Sequence, residues 1–178
     1  HTSAPCAHVR SLTARATGSP AGHWSFHYRV EGDIDRLRVP PPAAPAQSDG
    51  LWRQTCFEAF VKPAGAAGYV ELNFAPSGEW AIYAFDDYRR GMQPRAPRTP
   101  PEIVTRQSAG VLEVDARVAF EGLFTEAPPA DDLRLALAAV LEDKEGRLSY
   151  WALEHPSERP DFHHPNSFVL ELPLGTAT

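Results

Sequence analysis

The chain has 178 residues, 43% of them hydrophobic, and a formal charge of −6, enough for one substantial core and too little to argue for two. Its basic residues are fifteen Arg and only two Lys, Lys62 and Lys144, so no basic stripe exists to track a phosphate backbone and nucleic acid is not an expected partner. No apolar run approaches the roughly 20 residues that span a bilayer, and the start lacks the basic and apolar stretches of a secretory signal. A soluble, cytoplasmic protein without a membrane partner is expected, although His1 is not a translation start and secretion stays open.

Period-two alternation then recurs along the chain. From His23 to Val30, Trp24, Phe26, Tyr28 and Val30 share one side and Ser25, His27 and Arg29 the other, the pattern of a half-buried strand. The run Pro40-Pro41-Pro42-Ala43-Ala44-Pro45 lacks the N–H donors of a central strand and reads as a surface loop. Phe57 to Val61 and Tyr69 to Phe74 read as strands of a hairpin, and Pro76-Ser77-Gly78-Glu79 turns the chain into a strand from Trp80 to Phe85. Gln93 to Pro101 reads as a crossing loop, Val111 to Phe120 as a strand, and Phe120 to Phe124 as one helical turn.

Leu133 to Leu141 is ambiguous: its leucines alternate while its alanines suit a helix. A helix of about nine residues is short, so a strand is expected. Lys144-Glu145-Gly146 turns into a strand from Leu148 to Leu153, and Ser167 to Leu172 supplies the last strand. Eight or more strands without internal repeats predict an all-β fold, a single antiparallel β-sandwich or jelly roll over residues 1–178. Cys56 sits in a strand and reads as a buried core thiol, with a disulfide to Cys6 left open.

Trp52 to Val61 (WRQTCFEAFV), Tyr69 to Trp80 (YVELNFAPSGEW), Tyr150 to Pro156 and Pro160 to Pro165 resemble bacterial DOMON-like proteins, which are related to family 9 carbohydrate-binding modules. The resemblance implies an immunoglobulin-like β-sandwich with a ligand site, in a superfamily whose members bind sugars or haem. Family 9 modules grip a terminal sugar between two tryptophans. By that resemblance Trp52 and Trp151 take those parts, with Arg53, Gln54, Glu58, Glu71 and Asn73 as polar contacts. The modules also carry structural calcium, but no run of alternating Asp or Asn ligands is present here.

The residues themselves point the same way, because a pyranose needs an aromatic plate beside a few fixed donors and acceptors. With Ser77 and Gly78 as a two-residue loop, Asn73 is expected opposite Ile82 and Glu71 opposite Ala84, sharing a face with Trp80. Glu58 joins that face if the preceding hairpin has the matching register. Trp52 follows the turn cluster Ser48-Asp49-Gly50 and is expected at a loop edge, whereas Trp24, Trp80 and Trp151 are equally suited to the core.

Two rival ligands follow from the residues. His155, Asp161, His163 and His164 offer three imidazoles and a carboxylate to a divalent metal, and Met92 or a histidine offers an axial ligand to haem. Neither cofactor is the favoured expectation. No nucleophile elbow, zinc-protease motif or phosphate loop is present. The expectation is therefore a non-catalytic binder of a carbohydrate or related polar small molecule, with a protein-interaction module as a further alternative and the oligomeric state open.

Overall fold

A computed structural model describes residues 1, 6–19, 22–124 and 133–172. Eleven strands are present among them: β1 (Val9–Ser19), β2 (His23–Gly32), β3 (Cys56–Pro63), β4 (Tyr69–Phe74), β5 (Trp80–Phe85), β6 (Gln93–Pro94), β7 (Glu102–Ser108), β8 (Val111–Ala119), β9 (Leu133–Glu142), β10 (Leu148–Ala152) and β11 (Leu170–Leu172). They form two antiparallel sheets. One is four-stranded in the order β1-β2-β8-β7. The other is seven-stranded in the order β10-β9-β3-β4-β5-β6, with β11 also paired to β9. The all-β sandwich expected from the alternation is what the chain adopts.

The core fills the space between the sheets. Trp24, Phe26, Tyr28 and Val30 of β2 and Leu112, Val114, Ala116 and Val118 of β8 meet Phe57, Ala59 and Val61 of β3, and Leu72, Phe74 and Ile82 of β4 and β5. Every second residue points inward, as a pleated strand requires. Phe26 packs on Phe74 at 5.5 Å between ring centroids and Tyr28 on Phe57 at 5.1 Å. The Tyr28 hydroxyl donates 2.8 Å to the backbone carbonyl of Glu58, so even the deepest phenol is satisfied.

Three departures from the sequence expectations have clear causes. Residues 93–101 hold the short β6, and the edge strand β7 follows, whose outward residues are too polar to give a strong alternating signal. Phe120 to Phe124 forms a turn closed by the Leu123 N–H on the Phe120 carbonyl at 3.0 Å, without continuing as a helix. Ser167 lies in a 3₁₀ turn (Pro165–Ser167) and only Leu170–Leu172 pairs as a strand. Cys6 and Cys56 are both free thiols.

Candidate functional site

The outer face of the seven-stranded sheet carries the polar residues, and the β4–β5 loop decides which ones. That loop has three residues, Pro76-Ser77-Gly78. The Gly78 N–H bonds the Ala75 carbonyl at 3.0 Å and the Ala75 N–H bonds the Glu79 carbonyl at 2.9 Å. Gly78 has φ +95°, the left-handed position that such a loop assigns to glycine. The extra residue shifts the register by one from the two-residue expectation. Asn73 faces Ala81, Glu71 faces Tyr83, and Phe74 faces Trp80. Trp80 therefore lies on the inner face with Phe74, away from Glu71 and Asn73. Glu58 pairs with Asn73 and Phe60 with Glu71, so Glu58 does share the outer face with both.

This face is partly covered, which makes it an open cavity. After Gly50, whose φ of +75° suits a left-handed turn, a 3₁₀ turn (Leu51–Arg53) presents Trp52 edge-on to Tyr83, with ring centroids 5.7 Å apart. From the other side, the segment around Phe162 and His163 folds back over β3 and β4, where His163 packs edge-on against Phe60 at 5.0 Å and Phe85 at 5.2 Å. Between them lies a cavity of about 370 Å³ with Glu58 and Glu71 in its lining, ringed by Trp52, Phe85, Tyr150 and Phe162. Arg89, His163, Met92, Val140 and Pro160 complete it. The size falls in the range of small-molecule sites.

Burial sets the electrostatics. Glu58 and Glu71 are 2% and 5% exposed. Desolvation pushes the Glu58 carboxyl well above the usual carboxylate range, and the nearby Glu71 charge pushes the same way. Desolvation also raises Glu71, to about 7, against the opposing effects of the Asn73 amide and Arg89. Glu58 Oε1 is sealed from solvent and has no hydrogen-bond partner among the described residues, an unmet buried acceptor. Glu71 Oε1 accepts the Asn73 amide at 2.7 Å, and Glu71 Oε2 faces His163 Nε2 at 3.8 Å.

The remaining charges are already matched. Burial and the Arg89 charge hold His163 near 4 and hence neutral, while its Nδ1 lies 2.7 Å from the Tyr69 hydroxyl. Arg89 donates from Nη2 to Asp161 Oδ1 at 2.7 Å and from Nε to the same oxygen at 3.3 Å. Its backbone has φ +53°, unusual for a residue other than glycine. The Arg89 N–H donation to the Tyr69 hydroxyl at 3.2 Å and the Asp161 pair hold it there.

Of the residues singled out in the sequence, the structure brings Trp52, Glu58 and Glu71 together in the lining. Asn73 is fully buried behind them, its amide on Glu71 and its carbonyl oxygen near the Cys56 thiol at 3.6 Å. Arg53 and Gln54 fall outside the lining; Arg53 is exposed, with its guanidinium 5.8 Å from the Trp52 ring centre. Trp151 is a correction. It pairs with Ala139 on the inner face, and its indole N–H donates to Ser149 Oγ at 3.0 Å. The adjacent Tyr150 takes the cavity position, because neighbours on a strand point oppositely.

The residues of the metal alternative do not converge. His155 packs edge-on against His1 at 4.9 Å, Asp161 holds Arg89, His163 faces the cavity, and His164 caps the 3₁₀ turn by accepting the Asn166 N–H at 3.1 Å. Among the described residues, the three metal-competent side chains that do approach within 4.8 Å are His8, Asp143 and Glu145. There Arg147 already holds Asp143 at 2.7 Å and Glu145 at 3.2 Å. Nor do the residues fit haem. Met92 is 47% exposed, and the His163 nitrogens are turned to Tyr69 and Glu71.

Sequence reasoning missed Arg89, Phe85, Tyr150 and Phe162, and weighed His163 only as a metal ligand. Phe85 and Tyr150 were findable, since strand parity from Glu71 and from Val140 leads to them. Arg89 and Phe162 arrive on loops whose folding-back carries no periodic signal.

No protein-family model matches the sequence, and no curated protein matches it either. Solved structures do match. A candidate carbohydrate-binding protein from Bacteroides uniformis superposes with a TM-score of 0.65 at 17% identity, over 89% of this chain and 76% of that one. A family 9 carbohydrate-binding module from Caldicellulosiruptor kristjanssonii, in complex with glucose, superposes with a TM-score of 0.47 at 12% identity, over 84% of this chain and 68% of that one. The cellotriose complex of such a module gives 0.46 at 11% identity, over 85% and 72%. The Bacteroides match is the one that carries weight, and what it establishes is a shared fold.

Proposed function

We propose that this chain is a non-catalytic carbohydrate-binding protein whose site is the partly covered cavity on the outer face of the seven-stranded sheet. One observation carries the reading: four aromatic rings converge over two buried carboxyl groups, one of which has an unpartnered oxygen. A sugar offers C–H faces to the rings and hydroxyl donors to the carboxyls, the pairing such a site lacks internally. The carbohydrate-binding description of the Bacteroides protein, which shares the fold, supports the same class of ligand.

The arrangement favours binding over glycoside cleavage. A retaining or inverting enzyme flanks the scissile bond with its two carboxyls. Here Glu58 and Glu71 rise from adjacent strands on one floor, at diagonal positions set by the Glu58–Asn73 and Phe60–Glu71 pairs. Desolvation raises both carboxyls, Glu71 to about 7, which leaves no dependable ionised nucleophile.

A thermal-shift screen against mono- and disaccharides tests the reading. A ligand at 100 times its dissociation constant stabilises the fold by about 2.7 kcal/mol. The reading predicts a shift with at least one sugar that is reduced in Trp52→Ala, and it is wrong if no sugar shifts the parent protein.

A further inference from the structure

Two desolvated carboxyls, Glu58 and Glu71, share the cavity with one guanidinium, that of Arg89. Glu58 and Glu71 are the acidic groups in the lining, and the cations within reach are committed elsewhere. Arg89 places both Nε and Nη2 on Asp161, and its charge acts on Glu58 and Glu71 through space. His163 is neutral and bonded to Tyr69. Arg53 lies over the outer Trp52 ring, and Lys62 holds its ammonium 4.7 Å from the Phe168 ring centre. Tyr69 is pushed up to about 12 and the buried Cys56 thiol is also raised, so neither supplies a charge. Arg89 offsets the two carboxyls in part, and the Glu58 Oε1 acceptor stays unmet.

We propose, building on the carbohydrate reading, that the ligand presents a primary ammonium to Glu58 and Glu71, so that the site takes an amino sugar such as a 2-amino-2-deoxyhexose. Three geometric facts support this. Glu58 Oε1 is buried without a partner, and Glu71 Oε2 has only the long 3.8 Å approach of His163. An ammonium brings three donors from one atom, enough for both carboxyls, where one hydroxyl brings a single donor. Its positive charge favours the ionised forms of carboxyls raised by desolvation, and the surrounding aromatic rings favour a cation over a neutral group.

The test is calorimetric titration of the unmodified protein at pH 7 with glucose, galactose and mannose, each beside its 2-amino and 2-acetamido form. A charge-assisted contact in place of a neutral one predicts at least about tenfold tighter binding of one amine than of both its partners. In Glu71→Gln that preference shrinks toward parity while the melting temperature is retained. The comparison among ligands needs no variant, so it stands even if Glu71→Gln does not fold. Equal or tighter binding of the parent hexose overturns the amino-sugar assignment and leaves the carbohydrate reading intact. No binding by any of the nine overturns the assignment and counts against the carbohydrate reading too.

Discussion

The two sheets of the sandwich spend their outward residues differently. In β2 burial alternates along the strand, and the outward residues form half-exposed pairs with β8, such as Arg29 with Glu113 at 2.6 Å and His27 with Asp115 at 2.7 Å. In β4 all six residues are buried, and the outward ones are Tyr69, Glu71 and Asn73. Both strands alternate in the same way, but the second has a lid. The segment around Phe162 and His163 and the turn bearing Trp52 partly cover it and bury its polar side chains. A carboxylate on the first sheet is screened and worth little, whereas on the second, buried at Glu58 and Glu71, it is a costly group.

The inner face carries the stability, so the largest effect belongs there. Phe74→Ala removes a fully buried ring that packs on Phe26 and is expected to cost about 3 to 5 kcal/mol in urea denaturation. A loss under about 1 kcal/mol would mean that the inter-sheet packing is misassigned.

The next effect sharpens the contrast through pH. Glu71 is raised from 4.5 to about 7 in the folded protein, so its contribution is fully present below 4.5 and is lost as pH rises through 7. His163 is lowered from 6.5 to about 4, so the penalty of burying it is greatest in acid and fades as pH rises through 6.5. The two slopes oppose each other between about 4.5 and 6.5. Glu71→Gln removes one of them, so its stability relative to the parent is expected to rise from pH 4.5 to 7 by an amount on the order of 2 to 3 kcal/mol. A difference that stays constant with pH would show that the Glu71 carboxyl is not desolvated.

Smaller effects separate the two tryptophans. Trp52→Ala is expected to weaken sugar binding by about 1 kcal/mol or more, as loss of an anchor does. Trp151→Ala is expected to leave affinity unchanged, since its ring is on the inner face. Equal losses of affinity would place both rings at the ligand. At the far end, Val104→Thr on the exposed edge strand β7 is expected to change stability by less than about 0.5 kcal/mol.

The sequence revealed most of the sandwich because strands half-buried against a core must alternate, as β2 and β8 do. It left Glu58 on the Glu71 face conditional on the register of the hairpin, and the Glu58–Asn73 pair meets that condition. It misplaced Trp80 because one loop residue more or less moves a side chain to the opposite face, and Pro76-Ser77-Gly78-Glu79 is compatible with either loop length. Trp151 was assigned by resemblance, and its position is set by pairing with β9. The lid was invisible because Phe162 and His163 reach the site through tertiary contacts on an irregular segment.

The most direct test of the central claim is an amide chemical-shift map recorded while the tightest-binding hexose or amino hexose is titrated into the labelled protein. The account predicts perturbations concentrated at Trp52, Glu58, Glu71, Phe85, Arg89, Tyr150 and His163, with β1, β2, β7 and β8 quiet. Perturbations centred on the four-stranded sheet, or on the cluster of His8, Asp143 and Glu145, would contradict it.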